Sequence, residues 1–491
     1  MVELRPHQIK AIEMIRDSMR RGNKRVVLGA ACSFGKTLTA GAIAESAVKK
    51  GKRVLFVCDR IQLVNQTLNA FDSQYLRPGV IQGEHWRNDP DASVQIASVQ
   101  TLARRRHMPN VDLVIQDECH VMYKTMRDIM QLWDLVNFIG LSATPMSKGM
   151  AAPGLWQDLV VPITTAELQE QGYLCPIEVY GGRQIDVSKV RSKGIGTGGS
   201  DYDPVQLSEA VEQDQDLVGD VVSNWLAHCK GRQTIAFSAS IAASKSLVEL
   251  FLKNGIPAAH IDGYMDPKLR EELMQKHDSG EIVILSCSQL LDTGYDAPQV
   301  SACIDLYPTK SIIRHCQKIG RLARICEGKE NAIVLDHAGN HLRHGFTDMI
   351  VPKRLDDGTG RFDEKKQVKK EKEPKEPREC PSCKKQFVGL RCNGCGYEIV
   401  IRHDMHGDKS MLKKLNREDT RESKQELFAG LLHYARAHGY KEGYASYAYR
   451  EKYGVWPNQI KRGIRPKQSQ KADDWVKHLN IKRAKSKRYG T

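Results

Sequence analysis

Short, branched apolar runs alternate with amphipathic stretches of helix length over the first two thirds of the chain. In residues 1–165 the runs fall at 26–28, 54–57, 94–97, 111–115 and 138–141. They are apolar at successive positions rather than alternate ones, the pattern of strands buried on both faces, and the stretches between them predict a doubly wound parallel sheet. Residues 166–352 repeat the rhythm, with strands expected at 234–237, 258–261, 282–285 and 332–335. Between them, the glycine-rich stretch 192–201 (SKGIGTGGSD) reads as a mobile loop. The class is α/β, with two tandem sheet domains at 1–165 and 166–352.

The polar residues that matter stand where these strands end, because open α/β sheets hold ligands at the carboxyl ends of their strands. After the first run come Ala30, Ala31, Cys32, Ser33, Phe34, Gly35, Lys36 and Thr37, followed by a helical stretch. Backbone N–H groups there can cradle phosphate oxygens, Lys36 can reach the β and γ phosphates, and the Thr37 hydroxyl can ligate Mg²⁺. Ala30 and Ser33 occupy positions where such loops often carry glycine. Ahead of the loop, Arg5 and Gln8 are candidates for nucleotide recognition, Gln8 through an amide contact with an adenine edge.

The fourth run ends in Asp117, Glu118, Cys119 and His120. Two adjacent carboxylates leaving a buried strand suit a phosphate-bound metal ion. Asp117 would face Mg²⁺, while Glu118 would accept a proton from, or align, the attacking water. Ser142 and Thr144 follow the fifth run. Arg60 and Gln66 follow the second and Ser98, Gln100 and Thr101 the third, where hydroxyl, amide and arginine groups suit phosphate and sugar contacts.

The GKT loop, the DECH tetrad and the Ser142-Ala143-Thr144 triplet occur in the order and spacing of the superfamily 2 helicases, and the chain resembles that family. The resemblance implies two RecA-like domains that close on ATP and grip a nucleic-acid strand across both. It also implies second-half motifs, which are present: Ser238 at the fourth; Ser286, Ser288, Thr293, Gly294, Asp296 and Pro298 at the fifth; Gln317, Gly320, Arg321 and Arg324 at the sixth. In relatives the fifth motif touches nucleic-acid phosphates and the ribose of ATP. Arg321 and Arg324 are expected on one helix face, supplying charge across the cleft to the transferring phosphoryl group, an effect worth roughly 10³ to 10⁵ in rate. His120, beside Ser142 and Thr144, is expected to report the nucleotide state. Residues 307–311 (YPTKS), the sixth motif, 335–340 (LDHAGN) and a following cysteine pattern look like the RadD-like DNA-repair helicases, from whose GLR the sequence Arg321-Leu322-Ala323-Arg324 departs.

Net charge is +15, and from Lys353 onward there are 35 basic against 19 acidic residues, compared with 39 against 40 before it. A basic appendage on a near-neutral body points to a polyanion, most often nucleic acid. Residues 353–379 read as a charged, solvated linker. Cys380, Cys383, Cys392 and Cys395 form two CxxC pairs suited to tetrahedral Zn²⁺ in a ribbon at 380–398, with the metal supplying the folding energy. The nine other cysteines show no disulfide framework, and no apolar run approaches the roughly 18 residues of a membrane helix, so a cytoplasmic chain without membrane contact is expected.

Residues 399–491 read as a basic, helical, nucleic-acid-binding module. Its aromatics, Tyr434, Tyr440, Tyr444, Tyr447, Tyr449, Tyr453 and Trp456, either stack bases or form a small core. The combined expectation is an ATP-dependent DNA helicase or translocase using ATP, Mg²⁺ and Zn²⁺ on single-stranded, forked or branched DNA. An RNA helicase or RNA-dependent ATPase, an ATP-gated clamp without strand separation, and a protein partner for the ribbon or tail stay open at this point.

Overall fold

The computed structural model describes residues 3–60, 63–105, 107–182, 187, 189–195, 199–213, 221–288, 297–358, 378–379, 386–387, 411–415, 421–441, 443–453, 457, 464–477 and 479. Among them, two seven-stranded sheets dominate. The first contains β1 (Arg25–Gly29), β2 (Val54–Cys58), β3 (Gly79–Ile81), β4 (Val94–Ser98), β5 (Leu113–Gln116), β6 (Asn137–Ser142) and β7 (Asp158–Val160), in the order β3-β4-β2-β5-β6-β1-β7. Every neighbouring pair is parallel. All residues of β1, β2, β4 and β5 are buried because helices cover both faces. Val26, Leu28 and Phe56 enter the core on one side, Val27, Leu55 and Val57 that on the other.

The second sheet contains β8 (Ile177–Gly181), β11 (Thr234–Ser238), β12 (Ala258–Ile261), β13 (Ile284–Cys287), β14 (Ala302–Leu306), β15 (Ala332–Asp336) and β18 (Lys413–Lys414), ordered β12-β13-β11-β14-β15-β8-β18. Only β18 runs antiparallel, against β8. In both sheets the strands predicted from apolar runs are present, with ends moved by one or two residues.

The sequence pattern missed β3, β7, β8, β14 and β18. In β14 the run ACIDL is broken by Asp305, yet Asp305 is wholly buried: Lys318 Nζ donates to its Oδ1 at 2.7 Å, and both side chains are inaccessible. In β8 only Val179 and Gly181 are fully buried, so its run is too mixed to stand out.

Two expectations about connecting segments are corrected. Residues 192–201 are not a featureless loop: β9 (Ser192–Ile195) and β10 (Gly199–Tyr202) pair antiparallel as a hairpin. Its anchor is the buried Asp201, whose Oδ2 accepts from Thr309 Oγ1 (2.7 Å) and Arg314 Nη1 (2.8 Å) and whose Oδ1 accepts from Lys310 N (2.7 Å). The first residues of the predicted linker, 353–358, return to the first sheet instead of lying in solvent. Leu355 packs beside Met150 and Trp156, and Asp356 accepts from Gly149 N through Oδ1 (2.8 Å) and from Ala151 N through its carbonyl (2.7 Å). One leucine and one turn-capping aspartate are enough to dock a run that composition marks as solvated.

Cys380, Cys383, Cys392 and Cys395 lie outside the described residues; on either side of the first pair, β16 (Arg378–Glu379) and β17 (Gln386–Phe387) pair antiparallel. Near the C-terminus, the helices Arg421–Ala437 and Gly443–Tyr453 share a core of Leu427, Phe428, Leu431, Ala445, Tyr449 and Val476. Tyr449 is therefore a core residue, Tyr434 and Tyr444 pack at its edge, and Tyr440 and Tyr447 are exposed. Trp456 and the side chain of Tyr453 lie outside the described residues. No described helix is long and apolar enough to cross a membrane.

Candidate active site

The loop after β1 turns sharply into the helix Lys36–Val48. Gly35 caps that helix at φ 90°, a conformation that favours glycine, and a Cβ there would lie 2.3 Å from Gln8 Nε2 and displace that amide. Ser33, where a glycine is common, has φ 65°: the serine adopts the left-handed conformation itself. Lys36 Nζ donates to the carbonyls of Ala30 and Ala31, each at 3.2 Å, and so lies folded over the loop it serves. Thr37 follows on the first helical turn.

Gln8 is buried beneath this loop. Its Nε2 donates to Phe34 O and Gly35 O, each at 3.3 Å, and its Oε1 accepts from Arg5 N at 2.8 Å. Both amide hydrogens are spent on the loop, so Gln8 shapes the cradle here and does not offer its amide to an adenine edge. Arg5 lies over the Tyr173 ring, 5.1 Å from its centroid, and His7 meets the same ring edge-on. Tyr173 was not anticipated: it comes from a turn between the sheets, and nothing in its local sequence marks it.

The acidic tetrad leaves β5 as expected. Asp117 N donates to Val57 O and Cys119 N to Leu141 O, which fixes the turn between neighbouring strands, and Glu118 is held at φ 46°. Such a strained non-glycine conformation persists only where its surroundings enforce it. Burial and the charge of Glu118 push the Asp117 carboxyl up to about 7. Burial also opposes ionisation of Glu118, but His120, Lys36 and Arg321 outweigh it and hold that carboxyl below its usual range. Cys119 is wholly buried against Gly140 and is a packing residue.

Ser142 joins the parts. Its carbonyl accepts from Ala30 N at 3.0 Å and its hydroxyl from Thr144 N at 3.0 Å, and Oγ lies 2.9 Å from His120 Nδ1. His120 Nδ1 is also 3.2 Å from Glu118 Oε2, and His120 Nε2 is 3.3 Å from Gln317 Nε2 of the second sheet's domain. With Gln317 Nε2 donating, Nε2 of His120 would accept, an arrangement that suits a proton on Nδ1 facing Ser142.

Gln317 lies on the helix Ile312–Gly320, which ends in a 3₁₀ turn, Arg321–Ala323, with Arg324 extended beyond it. The expected α-helical face for both arginines is thus replaced by a 3₁₀ turn. Both arginines nonetheless act on the first domain, Arg321 through its charge on Glu118 and Arg324 through Ser33. Arg324 Nε donates to Ser33 Oγ at 3.1 Å. Gly320 abuts Cys32, and a Cβ there would stand 2.7 Å from the cysteine's own.

The nucleic-acid candidates divide. Arg60 and Gln66 are exposed beyond β2, and Gln100 Nε2 donates to Asp59 O at 2.9 Å, fastening the segment that carries Arg60. Ser98 is corrected to a structural residue: wholly buried, it caps the helix Val99–Arg104 by accepting from Thr101 N, with Thr101 Oγ1 2.9 Å from its hydroxyl. Ser286 is corrected likewise, buried with its Oγ 2.6 Å from Ser244 Oγ. Ser238 is buried at the end of β11, and Ser288 is half-buried beyond β13. Thr293, Gly294 and Asp296 lie outside the described residues.

Two family models match the chain. One described as "Type III restriction enzyme, res subunit" covers residues 1–147, and one described as "Helicase conserved C-terminal domain" covers residues 218–326. A 51.5 kDa protein of a Lactococcus phage is 27% identical over 372 residues, which are 75% of this chain and 76% of that protein. A Saccharomyces cerevisiae protein named as an ATP-dependent helicase, IRC3, is 26% identical over 68% of this chain, which spans 51% of it. Among solved structures, the ATP-dependent Type ISP restriction-modification enzyme LlaBIII bound to DNA shares the fold, with a TM-score of 0.51 and 19% identity over 68% of this chain and 27% of that one.

Proposed function

We propose that this chain, an ATP-hydrolysing enzyme carrying the two parallel-sheet domains of superfamily 2 helicases, is a DNA helicase or translocase driven by closure of those domains on ATP. The observation that carries the reading is the contact of Gln317, Gly320 and Arg324 with His120, Cys32 and Ser33 across the cleft. A bound γ-phosphate at the loop would be met from the opposite side by Arg321 and Arg324, so the nucleotide itself would hold the domains together.

In this reading Lys36 and the loop N–H groups bind the phosphates, and Glu118 orients the attacking water and accepts its proton. Arg321 and Arg324 balance charge in the transition state, and His120, Ser142 and Thr144 couple that event to the second domain. Tyr173 and Arg5 flank the nucleotide beside the cradle that Gln8 supports. Thr37 and Asp117 would hold Mg²⁺: both supply hard oxygen donors, and a cation suits a buried carboxyl raised by its acidic neighbour. When bound, the metal neutralises phosphate charge.

Action on single-stranded, forked or branched DNA in repair, recombination or replication is supported by the RadD-like motifs and the basic C-terminal third. Arg60, Gln66, Gln100, Thr101, Ser288 and Thr293 are the remaining motif candidates for the strand, with Gly294 and Asp296 toward the ribose. A Zn²⁺ ribbon at Cys380, Cys383, Cys392 and Cys395 is supported by their spacing and by the β16–β17 pairing. One zinc per chain by elemental analysis, lost on Cys383→Ser and Cys392→Ser, is the expected result.

The test of the whole reading is ATP turnover with single-stranded DNA, forked DNA and RNA, beside a strand-displacement assay. Stimulation by DNA with displacement is expected. Stimulation by RNA alone would move the substrate, and DNA stimulation without displacement of a duplex or a bound protein block would leave a clamp.

A further inference from the structure

The β9–β10 hairpin belongs to no helicase motif, yet it and the residues leading into it carry three exposed cations. Val190 is buried in the second domain's core, while Ser192, whose Oγ accepts from Lys310 Nζ, is exposed. Lys189, Arg191 and Lys193, between and beside them, are all exposed. Lys193 lies in β9, Arg191 stands just before it with its carbonyl accepting from Asp203 N at 2.9 Å, and Lys189 sits in the turn closed by Val190 N donating to Val187 O at 3.1 Å. Among the described residues, the two neighbouring acids are engaged elsewhere: Asp201 is turned inward to Thr309 and Arg314, and Asp203 Oδ1 accepts from Val205 N and Gln206 N at the start of the next helix. Lys310, 5.1 Å from the Tyr202 ring centroid, adds positive charge at the hairpin's base.

Position gives these cations their meaning. Asp201 clamps the hairpin to Thr309, Lys310 and Arg314, and Arg314 is on the helix Ile312–Gly320, which runs directly into Arg321. The cations are thus tied to the element that reaches across to the phosphate loop.

We infer that the β9–β10 hairpin is a binding surface for the phosphates of a nucleic-acid strand, read by Lys189, Arg191 and Lys193. A nucleic-acid backbone is the occupant because three exposed cations within five residues, with Lys310 at the hairpin's base, present concentrated positive charge that suits phosphates. The inference rests on the nucleic-acid reading above and assigns it a contact outside the motifs.

The test uses the full chain and a fluorescein-labelled oligothymidylate, with affinity measured by anisotropy from about 50 to 200 mM salt. A Lys189→Ala, Arg191→Ala, Lys193→Ala variant is compared with Lys245→Ala, Lys253→Ala, Lys268→Ala, which removes equal charge from exposed positions elsewhere in the same domain. Counterion release contributes about 0.7 to the slope of log affinity against log salt for each single-strand phosphate contact. The hairpin variant is expected to lose about 2 from that slope, and the control none. An unchanged slope, or equal losses in both variants, overturns the inference. The same loss with oligouridylate is expected because phosphates are common to both strands, and a loss confined to one sugar type contradicts a phosphate contact. If the parent shows no salt-dependent binding, the nucleic-acid reading fails first and this inference with it; if the parent binds and only the hairpin prediction fails, that reading survives.

Discussion

His120 and Gln317, separated by 197 positions in sequence, meet at 3.3 Å across the cleft between the two sheets. The same histidine reaches Ser142 and Glu118 through its other ring nitrogen. The pair therefore links Glu118, the proposed base, to the second domain. One net hydrogen bond is worth about 1 kcal/mol. His120→Ala is expected to keep ATP hydrolysis while losing most strand displacement, with the closed population down about fivefold. Parallel turnover and displacement assays check this, and equal losses in both contradict a coupling role.

Glu118→Gln keeps the size of the side chain and removes the proposed base. Nucleotide affinity should be retained while hydrolysis falls by about 10² to 10⁴. Single-turnover phosphate release, with affinity from a fluorescent nucleotide, separates the two, and unimpaired turnover excludes the role.

The buried pair Asp305–Lys318 predicts a stability effect unrelated to chemistry. Lys318→Ala leaves Asp305 without its cation and should cost about 3 to 5 kcal/mol of the second domain's stability. Denaturant midpoints for the variant and parent measure it.

Burial holds His344 at about 4, with its Nε2 2.8 Å from Thr309 O. Its unfolded value is about 6.5. A depressed folded value favours the neutral form, so this contribution is complete above about pH 6.5 and is lost as pH falls toward 4. The second domain should lose about 2 to 3 kcal/mol over that window, and His344→Gln should flatten the curve.

The phosphate loop and acidic tetrad were legible in sequence because each is a short run of chemically distinctive residues at the end of an apolar strand. Gln8 was found, but its task was not: no pattern reveals that both amide hydrogens go to Phe34 and Gly35. Ser98 and Ser286 looked available because a hydroxyl at a strand end looks the same whether it faces solvent or a helix start. Asp305 hid β14 because its compensating charge lies on another element, and Asp201 turned an apparent loop into a hairpin by bonds to residues more than a hundred positions away. Leu355 and Asp356 docked a segment whose composition predicted solvent. In each case the missing information was the partner.

In the proposed mechanism ATP is hydrolysed between the two domains, with charge supplied from the second. Single-turnover phosphate release by Arg321→Ala, at saturating ATP and DNA, tests it most directly. A fall of about 10³ or more, with ATP still bound, is the predicted result. A rate within about tenfold of the parent would contradict it.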